Sequence, residues 1–218
     1  MSASPLTVLV AGAHGKIGQR LVRRLAESGH RPRGLIRKPA QAARIEELGG
    51  EPVVADLEAE DFDPAVVDGA DAIVFTAGAG PGSGDARKET MDYGGAARLV
   101  DAAEARGVPR FVIVNAMGAA DPESAPEAMR PYQRAKGKAD DRVRASALEW
   151  TVVRPGGLTD HPGRGAVDVA PELGRGGEVS RDDVAEVIVA ALEGPAAVRA
   201  SFDLLEGGTP IREALADL

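Results

Sequence analysis

Leu6-Thr-Val-Leu-Val-Ala11 runs without a break into Gly12-Ala-His-Gly15-Lys-Ile-Gly18, and from Lys16 to Ser28 the apolar residues Ile17, Leu21 and Leu25 recur every four positions. The first run is short, apolar and β-branched, with Pro5 before it and Gly12 after it. It predicts a buried strand. The second predicts an amphipathic helix, with Arg20, Arg23, Arg24 and Glu27 on its other faces and Gly29 as its stop. A strand, a glycine turn and a helix in that order form an anion site. Glycines at positions 12, 15 and 18 permit close backbone approach to a diphosphate, free amides at the helix start and tight helix–strand packing. His14, Lys16 and Ile17 lie in the same turn.

The rest of the chain repeats the alternation. Strands are predicted at Arg33–Ile36, Pro52–Ala55, Ala72–Thr76, Phe111–Val114, Trp150–Val153 and Ser201–Leu205. Helices are predicted at Ala40–Leu48, Asp85–Arg106, Glu127–Ala147 and Arg181–Leu192. Short apolar strands alternating with helices imply a doubly wound parallel sheet, a three-layer α/β/α Rossmann fold in a single domain. Residues 158–178 are rich in glycine and proline and show little periodicity. They are expected to form a substrate-side loop or small lobe.

The end of the second strand reads Leu35-Ile36-Arg37-Lys38-Pro39. An acidic residue there would bind both ribose hydroxyls of NAD, whereas adjacent cations suit a 2′-phosphate. NADP is therefore expected over NAD, with Arg37 the main contact and Lys38 or His14 secondary. Asp56, in Ala55-Asp56-Leu57, is placed to accept from an adenine amino group or to cap the next segment. Ala77-Gly78-Ala79 puts small residues where a cofactor would cross the strand ends.

Tyr132 and Lys136 lie four apart in a helix, hence on one face. An ammonium beside a phenol favours phenolate and is expected to lower its pKa. Asn115, directly after the fifth strand, offers a hydrogen-bond donor to a substrate carbonyl or to local backbone.

These features together resemble the atypical short-chain dehydrogenase/reductase family, in its small NAD(P)H-binding, NmrA-like branch. The resemblance rests on the glycine pattern, Tyr132-Gln-Arg-Ala-Lys136, Val153-Arg154-Pro155-Gly156-Gly157 and Ser180-Arg181-Asp182-Asp183-Val184-Ala185, and spans about residues 6 to 216. It implies that Tyr132 exchanges a proton with a substrate oxygen, that Lys136 holds the nicotinamide ribose, and that Pro155 and Gly156 border the cofactor. It also implies hydride transfer to a small carbonyl or quinone-like substrate. Relatives of this kind include non-catalytic redox sensors with protein partners, and the scaffold also hosts epimerases and dehydratases. Two departures stand out. The family's serine after the fifth strand is missing from Asn115-Ala116-Met117-Gly118, and the asparagine of its central helix is Asp92 here.

Composition limits the alternatives. The 218 residues include no cysteine, so disulfides and thiolate chemistry are excluded. The net charge of −8 argues against nucleic-acid binding. His14, His30 and His161 form no metal-ligand pattern, and no metal is expected. No long apolar run offers a membrane span, and no leader pattern opens the chain. A cytoplasmic monomer or dimer acting on a small molecule is the expectation.

Overall fold

The computed structural model describes residues 4–80 and 82–218. The first three residues, read above for a leader, and Pro81 of the glycine-rich loop lie outside the described residues. The first half of the fold contains β1 (Thr7–Ala11), α1 (Lys16–Glu27), β2 (Arg31–Ile36), α2 (Ala42–Glu47), β3 (Glu51–Val54) and β4 (Ala72–Phe75). Next come α3 (Asp85–Arg87), a π-helical stretch (Lys88–Gly95), α4 (Ala96–Arg106), β5 (Arg110–Val114) and α5 (Arg130–Arg144). The chain ends with β6 (Glu149–Pro155), β7 (Gly157–Thr159), β8 (Ala166–Ala170), β9 (Glu178–Ser180), α6 (Arg181–Glu193), β10 (Ala200–Glu206), β11 (Thr209–Pro210) and α7 (Ile211–Ala216).

Nine strands form one sheet in the order β11-β8-β10-β6-β5-β4-β1-β2-β3. The seven from β10 to β3 are mutually parallel. Alternation along each strand sends side chains to two cores. Val8, Val10, Val74, Val112 and Val153 pack with Leu21, Leu25, Val184 and Ile188 on one face. Leu9, Ile73, Phe75, Phe111 and Ile113 pack with Leu99, Ala103, Ala139 and Val143 on the other. This is the three-layer Rossmann arrangement. The winding reverses at β1, whose neighbours are β2 on one side and β4 on the other. Such a reversal opens a crevice at the strands' carboxyl ends.

Three features differ from the sequence reading. The sheet is not wholly parallel, because β8 pairs antiparallel with β10 and with β11. Residues 158–178 carry regular structure that the sequence reading did not foresee: they include β8, and β7 pairs with β9 in a separate two-stranded sheet. Ala166-Val-Asp-Val-Ala170 does alternate, with Val167 fully buried, but the run is short and flanked by glycine-rich turns. Finally, the helix predicted from Asp85 to Arg106 is π-helical between Lys88 and Gly95. The wider turn changes which side chains face inward and buries Met91 and Asp92.

Candidate functional site

A cleft of about 1080 Å³ lies over the carboxyl ends of β1 and β4. That is near the upper end of the roughly 300–1,000 Å³ typical of small-molecule sites. At one end is the turn between β1 and α1. Gly12 has φ +79°, and a Cβ there would lie 2.7 Å from the backbone of Ala77. At Gly18 a Cβ would lie 2.2 Å from the Gly12 carbonyl. These two contacts let α1 and the end of β4 close tightly on the turn. Gly15 caps α1 without a side-chain hydrogen bond, and the first turn has no acidic residue. The first turn thus brings no carboxylate of its own to the helix start, and Asp160, the acidic group beside it, is held by Lys16, Arg20 and Arg181. Such a helix start suits a diphosphate.

Gly12, His14, Gly15, Lys16, Ile17, Arg37, Asp56, Leu57, Ala77, Gly78, Ala79, Asn115, Tyr132 and Lys136 all line this one cleft. Four of the expected residues do not. Gly18 lies behind the turn and acts through packing. Lys38 is exposed and precedes the short 3-10 turn Pro39–Gln41. Pro155 and Gly156 turn toward other elements: the Pro155 carbonyl accepts from the Met117 amide, and the Gly156 amide donates to Leu204. The Val153–Gly157 motif borders β10, not the cleft.

Arg37 is exposed, with its Nη1 3.8 Å from Glu58 Oε2. The same carboxylate accepts from Arg87 at 3.2 Å and from Thr90 Oγ1 at 2.7 Å. Arg87 also lines the cleft. One Asp56 oxygen accepts from the Glu58 amide at 2.9 Å, so this residue does form a local turn as well as bordering the cleft.

At the other end, Tyr132 and Lys136 rise from α5. Lys136 Nζ lies 5.8 Å from the centroid of the Tyr132 ring. The ammonium is buried, donates to the Val114 carbonyl at 3.3 Å, and stands 3.4 Å from Asp92 Oδ1. Burial pushes the Tyr132 phenol up to about 12, and the Asp92 charge pushes in the same direction. This direction is opposite to the lowering expected from Lys136, and its causes are burial first and the Asp92 charge second. Of the two partners open to Asn115, the structure shows local backbone: its Nδ2 donates to the Lys136 carbonyl at 2.9 Å and ties β5 to α5. Its buried Oδ1 has no partner. Ser124 bonds to Asp121 on an exposed loop and does not supply the missing serine.

The sequence reading missed Arg87, Met129 and Arg181 as cleft residues, whereas Leu158 opens the segment expected on the substrate side. Met129 and Leu158 are large apolar side chains that remain exposed. Arg181 follows the Ser180 cap of α6 and donates to Asp160, which also receives Lys16. The Ser-Arg-Asp-Asp motif was the available signal for Arg181. Among the described residues, no helix is long and apolar enough to cross a membrane.

The comparisons agree with this geometry. The family described as NAD(P)H-binding matches residues 12–195. The Bacillus subtilis protein named Uncharacterized sugar epimerase YhfK is 43% identical, with the alignment covering 98% of this chain and all of that one. A solved structure from Bacillus halodurans, titled a putative NAD-dependent epimerase/dehydratase, superposes with a TM-score of 0.94 at 37% identity, covering 98% of this chain and all of that one. ChuY from Escherichia coli, titled an anaerobilin reductase, has a TM-score of 0.75 at 25% identity, covering 92% of this chain and 97% of that one.

Proposed function

The chain belongs to the NAD(P)H-binding family, and from that premise we propose that it is an NADP(H)-dependent oxidoreductase in which Tyr132 exchanges a proton with a small carbonyl or quinone-like substrate. The observation that carries this reading is the shared cleft: Gly12, Gly15 and Ile17 border one end, and Tyr132 and Lys136 the other. The uncapped first turn of α1 and the close approach at Gly12 fit a dinucleotide. When bound, the nicotinamide supplies or accepts the hydride.

The protein's own groups do the rest. The α1 amides hold the diphosphate, and Lys16 adds charge beside them. Arg37 and Arg87, which share Glu58 at the cleft, would hold a 2′-phosphate. Lys136 donates to the nicotinamide ribose. Tyr132, with its pKa well above neutral, carries its proton at physiological pH and gives it to the substrate oxygen during reduction. Met129 and Leu158 shield an apolar substrate body at the cleft rim.

The names of the relatives support two variants of one chemistry. An epimerase would take and return the hydride on one substrate and consume no net coenzyme. A reductase would oxidise NADPH stoichiometrically. Calorimetry with NADPH and NADH, followed by a panel of aldehydes, ketones, quinones and flavins monitored for NADPH oxidation, tests the reading. Tight NADPH binding with turnover on a member of the panel is the expected result. Binding with no NADPH oxidation, but with stereochemical scrambling of a sugar nucleotide, would replace the reductase by the epimerase. No binding of either coenzyme would remove both.

A further inference from the structure

Asp92 is one of the most deeply buried carboxylates in the fold, at 1% exposure. It stands where the family resemblance places a neutral asparagine. Its two oxygens have different partners. Oδ1 lies 3.4 Å from Lys136 Nζ. Oδ2 accepts from the Ala79 amide at 3.2 Å, and a Cβ on Gly78 would come within 3.0 Å of Oδ1. Asp92 therefore touches both the ammonium and the backbone that floors the cleft beyond β4.

We infer that Asp92 is the positioning residue of this site: its carboxylate keeps the buried Lys136 ammonium charged and fixes the Gly78–Ala79 backbone against it. The physical need is clear from the surroundings of Lys136. From β5 it meets the Val114 carbonyl, from its own helix the neutral Tyr132 ring, and from the π-helical stretch Asp92. Asp92 is the one countercharge within salt-bridge distance of it among the described residues. Burial drives the lysine pKa down, and Asp92 opposes that through both its charge and its hydrogen bond. An asparagine has the same shape and can still accept from Ala79, but it brings no charge. The lysine would then tend to lose its proton inside the protein. The same carboxylate helps to hold the proton on Tyr132, which favours proton donation over proton abstraction. Asp92 reaches both groups because the π-helical turn directs it inward.

What Lys136 is held for rests on the oxidoreductase reading, whereas the ion pair itself can be tested apart from it. With five lysines in the chain, ¹³Cε-labelled lysine gives a small NMR spectrum, in which Lys136 is assigned by its loss in Lys136→Met. In Asp92→Asn the Lys136 midpoint is expected to fall by about one to three pH units. NADPH affinity, matched to wild type at acidic pH, should decline as pH rises through that midpoint. Identical lysine titrations in the two proteins would overturn the inference. A lowered midpoint with pH-independent NADPH affinity would uphold the ion pair and count against the coenzyme role given to Lys136. If Asp92→Asn does not fold, the Lys136→Met and Lys136→Met/Asp92→Asn proteins decide the matter. Removing the stranded carboxylate should raise the melting temperature of the double variant above that of the single one, and no rise would overturn the pairing.

Discussion

Two buried ion clusters stand on α5, one helical turn apart, and they are built differently. At the cleft, Lys136 uses its ammonium on Asp92 and on the Val114 carbonyl. Deeper along the helix, Asp140 faces Arg154 of β6 at 3.5 Å. Arg154 also donates to Asp203 and Ser201 of β10, each at 2.9 Å, and to the Pro171 carbonyl. Asp203 in turn accepts from the Leu173 amide at 3.1 Å. The second cluster spreads one guanidinium over three parts of the chain and closes the fold around it. The first leaves a cleft-facing donor with few partners, next to a phenol and an unpartnered Asn115 oxygen. The difference lies in the cations: the Arg154 guanidinium is shared among three parts of the chain, whereas the Lys136 ammonium borders the cleft. Each site keeps one buried oxygen without a partner among the described residues, Asp140 Oδ1 in the second and Asn115 Oδ1 in the first.

Substitutions can break this contrast. The largest effect is expected for Tyr132→Phe, which should lower turnover by about 10²- to 10⁴-fold, the usual contribution of a general acid. Its melting temperature and NADPH affinity should stay near wild type, and steady-state kinetics alongside calorimetry would check all three. Arg154→Met should do the reverse. Leaving Asp203 and Asp140 without their partner is expected to cost about 3–5 kcal/mol in chemical denaturation, with NADPH binding intact in the folded fraction. A smaller change is expected for Arg37→Ala, which should weaken NADPH by about tenfold, or about 1.4 kcal/mol, and leave NADH unaffected. Equal losses for both coenzymes would remove Arg37 from the 2′-phosphate site.

The smallest effect concerns Asp140. Burial raises its carboxyl pKa even though Arg154 opposes the rise. A raised carboxyl holds its proton in the folded protein after the unfolded chain has released it. Its contribution therefore favours folding at low pH and fades as pH climbs from the unfolded value through the folded one. Asp140→Asn should be neutral to stabilising at neutral pH, by at most about 1 kcal/mol. Its difference from wild type should shrink in acid, as thermal melts across pH would show. A large loss at neutral pH would mean that the ionised Asp140 is an essential partner of Arg154.

The contrast also separates what the chain reveals directly from what needs three dimensions. The β1 turn is legible because glycines 12 and 18 have a local reason to be there, and their neighbours in sequence are also their neighbours in space. Tyr132 and Lys136 are legible as a pair for the same reason, being one helical turn apart. The upward push on the Tyr132 phenol is not legible locally, because burial needs the fold and Asp92 lies 40 residues before Tyr132, in a π-helical turn that no helix periodicity announces. Arg154 was grouped with a cofactor motif because its partners, at 140, 171, 201 and 203, are invisible to local spacing. Strand β8 escaped notice because five residues between glycine-rich turns carry too little pattern.

The pairing of β7 with β9 has a bearing on how such a molecule diversifies. Leu158 reaches the cleft from that small ribbon, while the glycine turn and the Ala77–Ala79 floor hang from the central sheet. If the proposed function holds, the substrate-side rim and the coenzyme-side floor of the cleft belong to different sheets, and mutation could retune the one without dismantling the other.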